Sequence, residues 1–328
     1  LKILIAGFGS IGRRHFHNLL ALGERDILFY RSGRSTLPDD ELRDYPLETD
    51  LQAALARRPQ AVIVANPTAL HLQVAIPAAA AGCSLLLEKP VSHTLDGLTE
   101  LQEAVQKSGA KVLVGYQFRF HPGLRQVKQL FDGGMIGRMV SVRAHWGEYL
   151  PGWHPWEDYR QGYSARQDLG GGVVLTLCHP LDYLRWLFGE ITALWAFTGQ
   201  LSGLELSVED TAEIGLRFAG GALGSLHLDF CQRPPSHYLE AIGTQGTIRW
   251  DNSDGAVHLY RAGPDQWMNF PAPEGFERNS MFLDQMRHFL AVVRGEAEPS
   301  CTLHDGLQAL RLVLAAGLSQ SQGRCIDL

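Results

Sequence analysis

The chain has 328 residues, 45% hydrophobic and 20% charged, which is enough apolar material for a large core and a length that favours two domains. A formal net charge of −6 argues against a nucleic-acid or membrane-surface binder, and no apolar run reaches the roughly 20 residues that span a bilayer. Cys83, Cys178, Cys231, Cys301 and Cys325 have neither CxxC nor zinc spacing, so a reducing cytoplasm is expected, with no disulfide framework and no metal.

Residues 2–6, KILIA, read as a first strand rather than a secretion signal, and GFGSIG follows at once. A helical pattern then runs to Gly23, and DILFY at 26–30 reads as the second strand. Strand, GxGxxG, helix, strand is the setting in which that motif holds a dinucleotide. Gly7 permits the tight turn, Gly9 lets backbone approach a pyrophosphate, and Gly12 lets helix and strand pack closely. The N–H groups that open the helix, from Ser10 and Ile11 onward, face the phosphates.

The tip of the second strand chooses the cofactor, and a carboxylate there would bind the adenosine ribose. The sequence offers Arg31, Ser32 and Arg34 instead, with no acid until Asp39. A guanidinium can pair with a 2′-phosphate in forked geometry, so NADP(H) is favoured over NAD(H). Arginine can also simply stack on adenine, and a solvated loop with two arginines is the plainer alternative.

Alternation continues with strands at 60–65 (QAVIVA), 84–90 (SLLLEKP) and 111–116 (KVLVGY), separated by helical stretches. This predicts an α/β architecture with a doubly wound parallel sheet, whose ligands gather beyond the C-terminal strand ends. ANPTALH (65–71) and EKP (88–90) sit at those ends. Glu88 and Lys89 are therefore expected at the rim of a cofactor crevice rather than inside the sheet.

GFGSIG, ANPTALH, EKP and GYQFRFHP (115–122), in that order, resemble the glucose–fructose oxidoreductase/inositol dehydrogenase (Gfo/Idh/MocA-like) family. The resemblance covers essentially the whole chain. It implies a two-domain, NAD(P)-dependent oxidoreductase acting on sugars or cyclitols. Lys89 resembles the family lysine near the nicotinamide and the reacting hydroxyl, where an ammonium stabilises charge on oxygen. Asn66, Pro67 and His71 resemble the turn bordering the nicotinamide ribose, and Gln117 matches the family position beside the nicotinamide. Arg119 is expected to be structural.

After His121 the pattern changes to long alternating strands from 138 to 260, so a C-terminal α+β domain with a large, mainly antiparallel open sheet is expected. The expected domains are 1–120 and 121–328, with the last helix able to pack back on the first. In the family the sheet face mediates dimer or tetramer contacts, so a homodimer or homotetramer is expected. DLGGGVVLTLCHPLDYLRWLFGE (168–190) reads as a glycine turn and an apolar helix carrying His179 and Asp182 on one face, with Pro180 interrupting its hydrogen bonding. By resemblance His179 is the general acid/base, for which imidazole suits, and Asp182 matches the family's later acid, a catalytic residue expected to assist the proton exchange. The family aspartate four residues before the histidine is replaced by Leu175, beside Thr176.

The aromatic and basic stretch 148–168 is a candidate substrate wall, with Trp153, Tyr163 and Arg166, together with Thr176, as substrate contacts. A domain-packing or dimer arm is the alternative. The expected reaction moves a hydride between nicotinamide and a secondary alcohol or ketone of a sugar-like molecule. Its rivals are NAD-dependent glycoside cleavage on the same fold and a non-catalytic dinucleotide sensor.

Overall fold

A computed structural model describes residues 1–31 and 40–328. The chain divides into two compact units, residues 1–117 with 278–307, and residues 118–277 with 308–328. No helix among the described residues is long and apolar enough to cross a membrane.

The first unit is a repeated strand–helix alternation. It contains β1 (Ile3–Ala6), α1 (Ser10–Ala21), β2 (Ile27–Tyr30), β3 (Leu47–Glu48), α2 (Leu51–Ala56), β4 (Ala61–Val64), α3 (His71–Ala80), β5 (Ser84–Leu87), α4 (Leu98–Ser108) and β6 (Val112–Val114). Every strand pairing is parallel, in the order β3-β2-β1-β4-β5-β6. This is the dinucleotide-binding order, and it opens a crevice where the chain reverses direction between β1 and β4. β1 and β4 are buried along their whole length, as strands covered on both faces must be. Asp50 caps α2 by accepting the Ala53 N–H at 2.8 Å, and Gly109 ends α4 in the left-handed region at φ 72°.

The helix Arg278–Val293, expected in the second domain, groups with this first unit. Its ties to α1 and the turn beyond account for that. Asn279 donates to Asn18 at 2.9 Å, Arg294 pairs with Glu24 at 2.6 Å, and the Arg14 guanidinium lies 4.5 Å over the Phe282 ring.

The second unit opens with α5 (Pro122–Asp132), which His121 caps by accepting the Gly123 N–H on Nδ1. Then come β7 (Met139–Gly147), α6 (Val173–Thr176), α7 (His179–Phe188), β8 (Ile191–Gly199), β9 (Thr211–Phe218), β10 (Leu223–Asp229), β11 (Ser236–Gly243), β12 (Gly246–Asp251), β13 (Val257–Arg261), β14 (Gln266–Phe270) and β15 (Ile326–Asp327). Among the described residues they form a nine-stranded sheet, β14-β13-β12-β11-β7-β10-β9-β8-β15, antiparallel except for the β7–β10 pair. Alternation sends Val142, Ala144, Trp146, Leu226 and Leu228 to the inner face, where α7 packs. The other face is largely open and exposes Trp195, Phe197 and Trp267.

One expectation is corrected. The segment after the glycines is two helices, broken at Leu177–Cys178, and Pro180 falls in the first turn of α7. There its missing N–H is one that no helix pairs, so Pro180 begins a helix rather than interrupting one.

Candidate active site

The glycine turn has the shape its sequence requires. Gly7 has φ +96°, and a Cβ there would lie 2.6 Å from the Asn66 nitrogen at the tip of β4. A Cβ on Gly12 would lie 2.3 Å from the Gly7 carbonyl oxygen. Side chains at either position would separate the strand tips or lift the helix. Gly9, by contrast, meets nothing within 4 Å, which leaves open ground in front of the α1 N-terminus, with Ser10 exposed and Ile11 half-buried. A pyrophosphate fits such a cradle. Arg31 is buried, with its guanidinium 5.9 Å from the Phe8 ring centroid. Ser32 and Arg34 lie outside the described residues.

The tips of β4 and β5 join beside this turn. The Asn66 amide donates to the Leu70 carbonyl at 2.9 Å, while its buried Oδ1 has no protein donor among the described residues. Pro67 is half-buried at the turn. His71 is fully inside, with one ring nitrogen 2.9 Å from the Pro90 carbonyl and the other 3.0 Å from that of Asn66. Burial holds its pKa below the ordinary value. It is thus a clamp between the two tips.

Glu88 points back into the protein, 2.7 Å from His15 Nε2 on α1. Burial alone would raise its pKa. The hydrogen bond from His15 and the charges of His15, Lys89 and His71 outweigh this, so the carboxyl lies below its usual range. Gly115 makes room for it, since a Cβ there would be 3.0 Å from the carboxylate. Lys89 is half-buried and is followed by a cis peptide bond to Pro90. Gln117, the last residue of this stretch of the first unit, is buried.

In the second unit, His179 opens α7 and is buried, its ring 5.1 Å from Phe118 and 5.6 Å from Trp146. Trp146 stacks on His237 at 4.3 Å, and His237 Nε2 lies 3.2 Å from the Tyr183 hydroxyl, whose pKa burial pushes up. Thr176 is buried at the end of α6. Asp182 is buried against Arg119, which grips it with two hydrogen bonds of 2.9 and 2.7 Å.

The expected substrate wall is a run of short 3₁₀ turns. Trp153 packs edge-on against Phe230 at 5.6 Å, Tyr163 is half-buried, and the exposed Arg166 is paired with Asp168 at 2.5 Å. These three side chains are not drawn together by any contact among the described residues. The turn at Gly170–Gly172, ahead of α6, instead acquires a carboxylate from the β8–β9 connection. Glu209 accepts the Val174 N–H at 3.2 Å, and burial raises its pKa.

An oxidoreductase family with an NAD-binding Rossmann fold matches residues 1–116, and the GFO/IDH/MocA C-terminal domain matches residues 124–249. The chain belongs to the GFO/IDH/MocA oxidoreductase family. It is a nicotinamide-dinucleotide-dependent enzyme. The uncharacterized oxidoreductase YrbE of Bacillus subtilis is 28% identical, covering 99% of this chain and 95% of its own. The myo-inositol 2-dehydrogenase of Thermotoga maritima is 26% identical over 100% and 98% of the two chains. A levoglucosan dehydrogenase solved with NADH and levoglucosan shares the fold, with a TM-score of 0.87 and 20% identity over 100% and 99% of the chains.

Three partners in this family member escaped the sequence reading: His15, Arg119 as the mate of Asp182, and Glu209. For His15 a signal existed, a histidine on the buried face of α1 just past the glycines. The other two pairings join residues 63 and 35 positions apart and carry no comparable local signal.

Proposed function

We propose that the enzyme moves a hydride between NADP(H), or NAD(H), and a secondary alcohol or ketone of a sugar, cyclitol or sugar derivative. The observation that carries this reading is the end of β5, where Glu88 is held from behind by His15 and Lys89 follows it, two strands from the open glycine turn. The relatives named for myo-inositol and levoglucosan support the substrate class.

Gly7, Gly9, Ser10, Ile11 and Gly12 would hold the pyrophosphate, and Asn66, Pro67 and Gln117 the nicotinamide end, with Arg31, Ser32 and Arg34 selecting the 2′-phosphate. The bound nicotinamide supplies the hydride acceptor or donor. Lys89 holds the substrate oxygen and stabilises its negative charge, and His179 takes or returns the hydroxyl proton. Asp182, gripped by Arg119, holds α7 in place rather than exchanging protons. The open sheet face with Trp195, Phe197 and Trp267 supports a homo-oligomer through that face, and the free cysteines support a cytoplasmic location.

Fluorescence titration of cofactor-stripped protein with NADPH and with NADH tests the cofactor assignment. Tighter NADPH binding is expected. An NADH preference would make the three β2-tip residues bystanders, and binding of neither would overturn the reading.

A further inference from the structure

We infer that the outer face of the nine-stranded sheet carries a transition-metal site, formed by His145 of β7, His227 and Asp229 of β10, and Gln232 in the turn that follows. The spacing of these residues along the sequence gives no metal motif, because the ligands come from two non-consecutive strands. The parallel β7–β10 pairing sets His145 directly opposite His227, and their rings stack at 4.6 Å with 14° between planes. One ligand atom each from His145, His227 and Asp229 lies within 4.8 Å of the other two. His227 Nε2 is 3.0 Å from Asp229 Oδ2, and His145 Nε2 is 2.5 Å from Gln232 Oε1.

The surroundings orient these atoms as metal-site surroundings do. Asp229 is buried, and its Oδ1 accepts the N–H groups of Cys231 at 2.8 Å and Gln232 at 2.6 Å, which turns Oδ2 toward the imidazoles. The far nitrogen of His227, Nδ1, lies 2.6 Å from Glu213 Oε1, the carboxylate–histidine arrangement that fixes a ligand's tautomer and raises its basicity. Gly147 leaves room for the oxygens, since a Cβ there would lie 2.2 Å from both Asp229 Oδ2 and Gln232 Oε1. Ligand atoms on bonds of about 2.1 Å sit roughly 3.0–3.4 Å apart on a metal; His227 Nε2 and Asp229 Oδ2 already lie that close, and the His145 ring turns out of its stack on His227 to bring its nitrogen to the same ion. Two imidazoles, a carboxylate and an amide oxygen suit Zn²⁺, Co²⁺ or Ni²⁺ better than Ca²⁺ or Mg²⁺. The site lies across the sheet from His179, because His145 and Trp146 point to opposite faces of β7.

The test is calorimetric titration of untagged, EDTA-treated full-length protein with ZnCl₂, and visible absorption with CoCl₂. Saturable binding is expected, with the intense cobalt bands of a low-coordinate nitrogen–oxygen site. His145→Ala, at a half-buried position, should abolish it while leaving the circular dichroism and Tm in EDTA unchanged. Glu213→Gln, which keeps the ligands but removes the orienting charge, should weaken it about 10–100-fold. Absence of saturable binding, or binding undiminished by His145→Ala, would overturn the proposal.

Discussion

His15 Nε2 and Glu88 Oε1 lie 2.7 Å apart in the interior of the first unit, 73 positions apart in sequence. This contact explains why a leucine-rich strand ends in a charged residue. Glu88 does not project into the crevice. It turns inward, into space that Gly115 leaves, and ties α1, with its glycine turn, to the β5 tip that presents Lys89. The glycine turn and the β5 tip thus share one buried anchor.

Breaking that anchor should cost stability. Glu88→Ala or His15→Ala removes one member of a buried, hydrogen-bonded pair, and each should lower unfolding free energy in urea by about 3–5 kcal/mol. The double variant should cost less than the sum, because the two changes remove one interaction. The folded-state pKa of Glu88 is lowered, so its contribution is complete above the unfolded carboxylate value and is lost as pH falls through the folded one. Losses below about 1 kcal/mol would show the contact to be incidental.

His121 should make the second unit acid-sensitive. Burial depresses its pKa to about 4, and the ring accepts the Gly123 N–H as the α5 cap while lying among Phe118, Trp250 and Phe276. The unfolded chain takes up this proton near pH 6.5 and the folded one does not. Stability is therefore full above pH 6.5 and falls as pH drops toward 4, by on the order of 3 kcal/mol. His121→Asn, which keeps a capping acceptor but does not titrate, should flatten that stretch of the urea-midpoint pH profile.

Gly12→Ala should impair dinucleotide binding. Its Cβ would sit 2.3 Å from the Gly7 carbonyl oxygen, so either the turn or the helix must move. At least a tenfold loss of NADPH affinity is expected by fluorescence, about 1.4 kcal/mol. Gly23→Ala, beyond α1, should bind normally, its φ of +88° costing stability rather than affinity.

Asp182→Asn separates a structural from a proton-transfer role. The buried pair with Arg119 should make this change cost about 3 kcal/mol of stability, with kcat reduced only a few-fold and its pH profile unshifted. A loss of kcat of about 100-fold or more with normal stability would restore Asp182 to the chemistry.

Local signals made the Rossmann order legible: GFGSIG after KILIA, and strands ending at ANPTALH and EKP. The same was true of the alternating strands of the second sheet, whose inner and outer faces follow the apolar pattern. β3 and β14 were not legible. The first has only two residues, and QWMNF in the second is too exposed to show a buried face. Likewise, nothing in the sequence of the Arg278–Val293 helix shows that its partners lie on α1. The buried polar pairings, His15 with Glu88 in the first unit and Arg119 with Asp182 in the second, join positions 73 and 63 residues apart, which periodicity cannot register. Pro180 misled because its effect depends on where the helix begins.

The most direct test compares wild type with Lys89→Ala, measuring NADPH and NADH binding by fluorescence and turnover on a panel of aldoses and cyclitols including myo-inositol. The expected result is cofactor affinity within a few-fold of wild type and kcat lowered by about 10²–10⁴. Turnover that survives the substitution would contradict the assignment of Lys89 as the group that acts on the substrate oxygen.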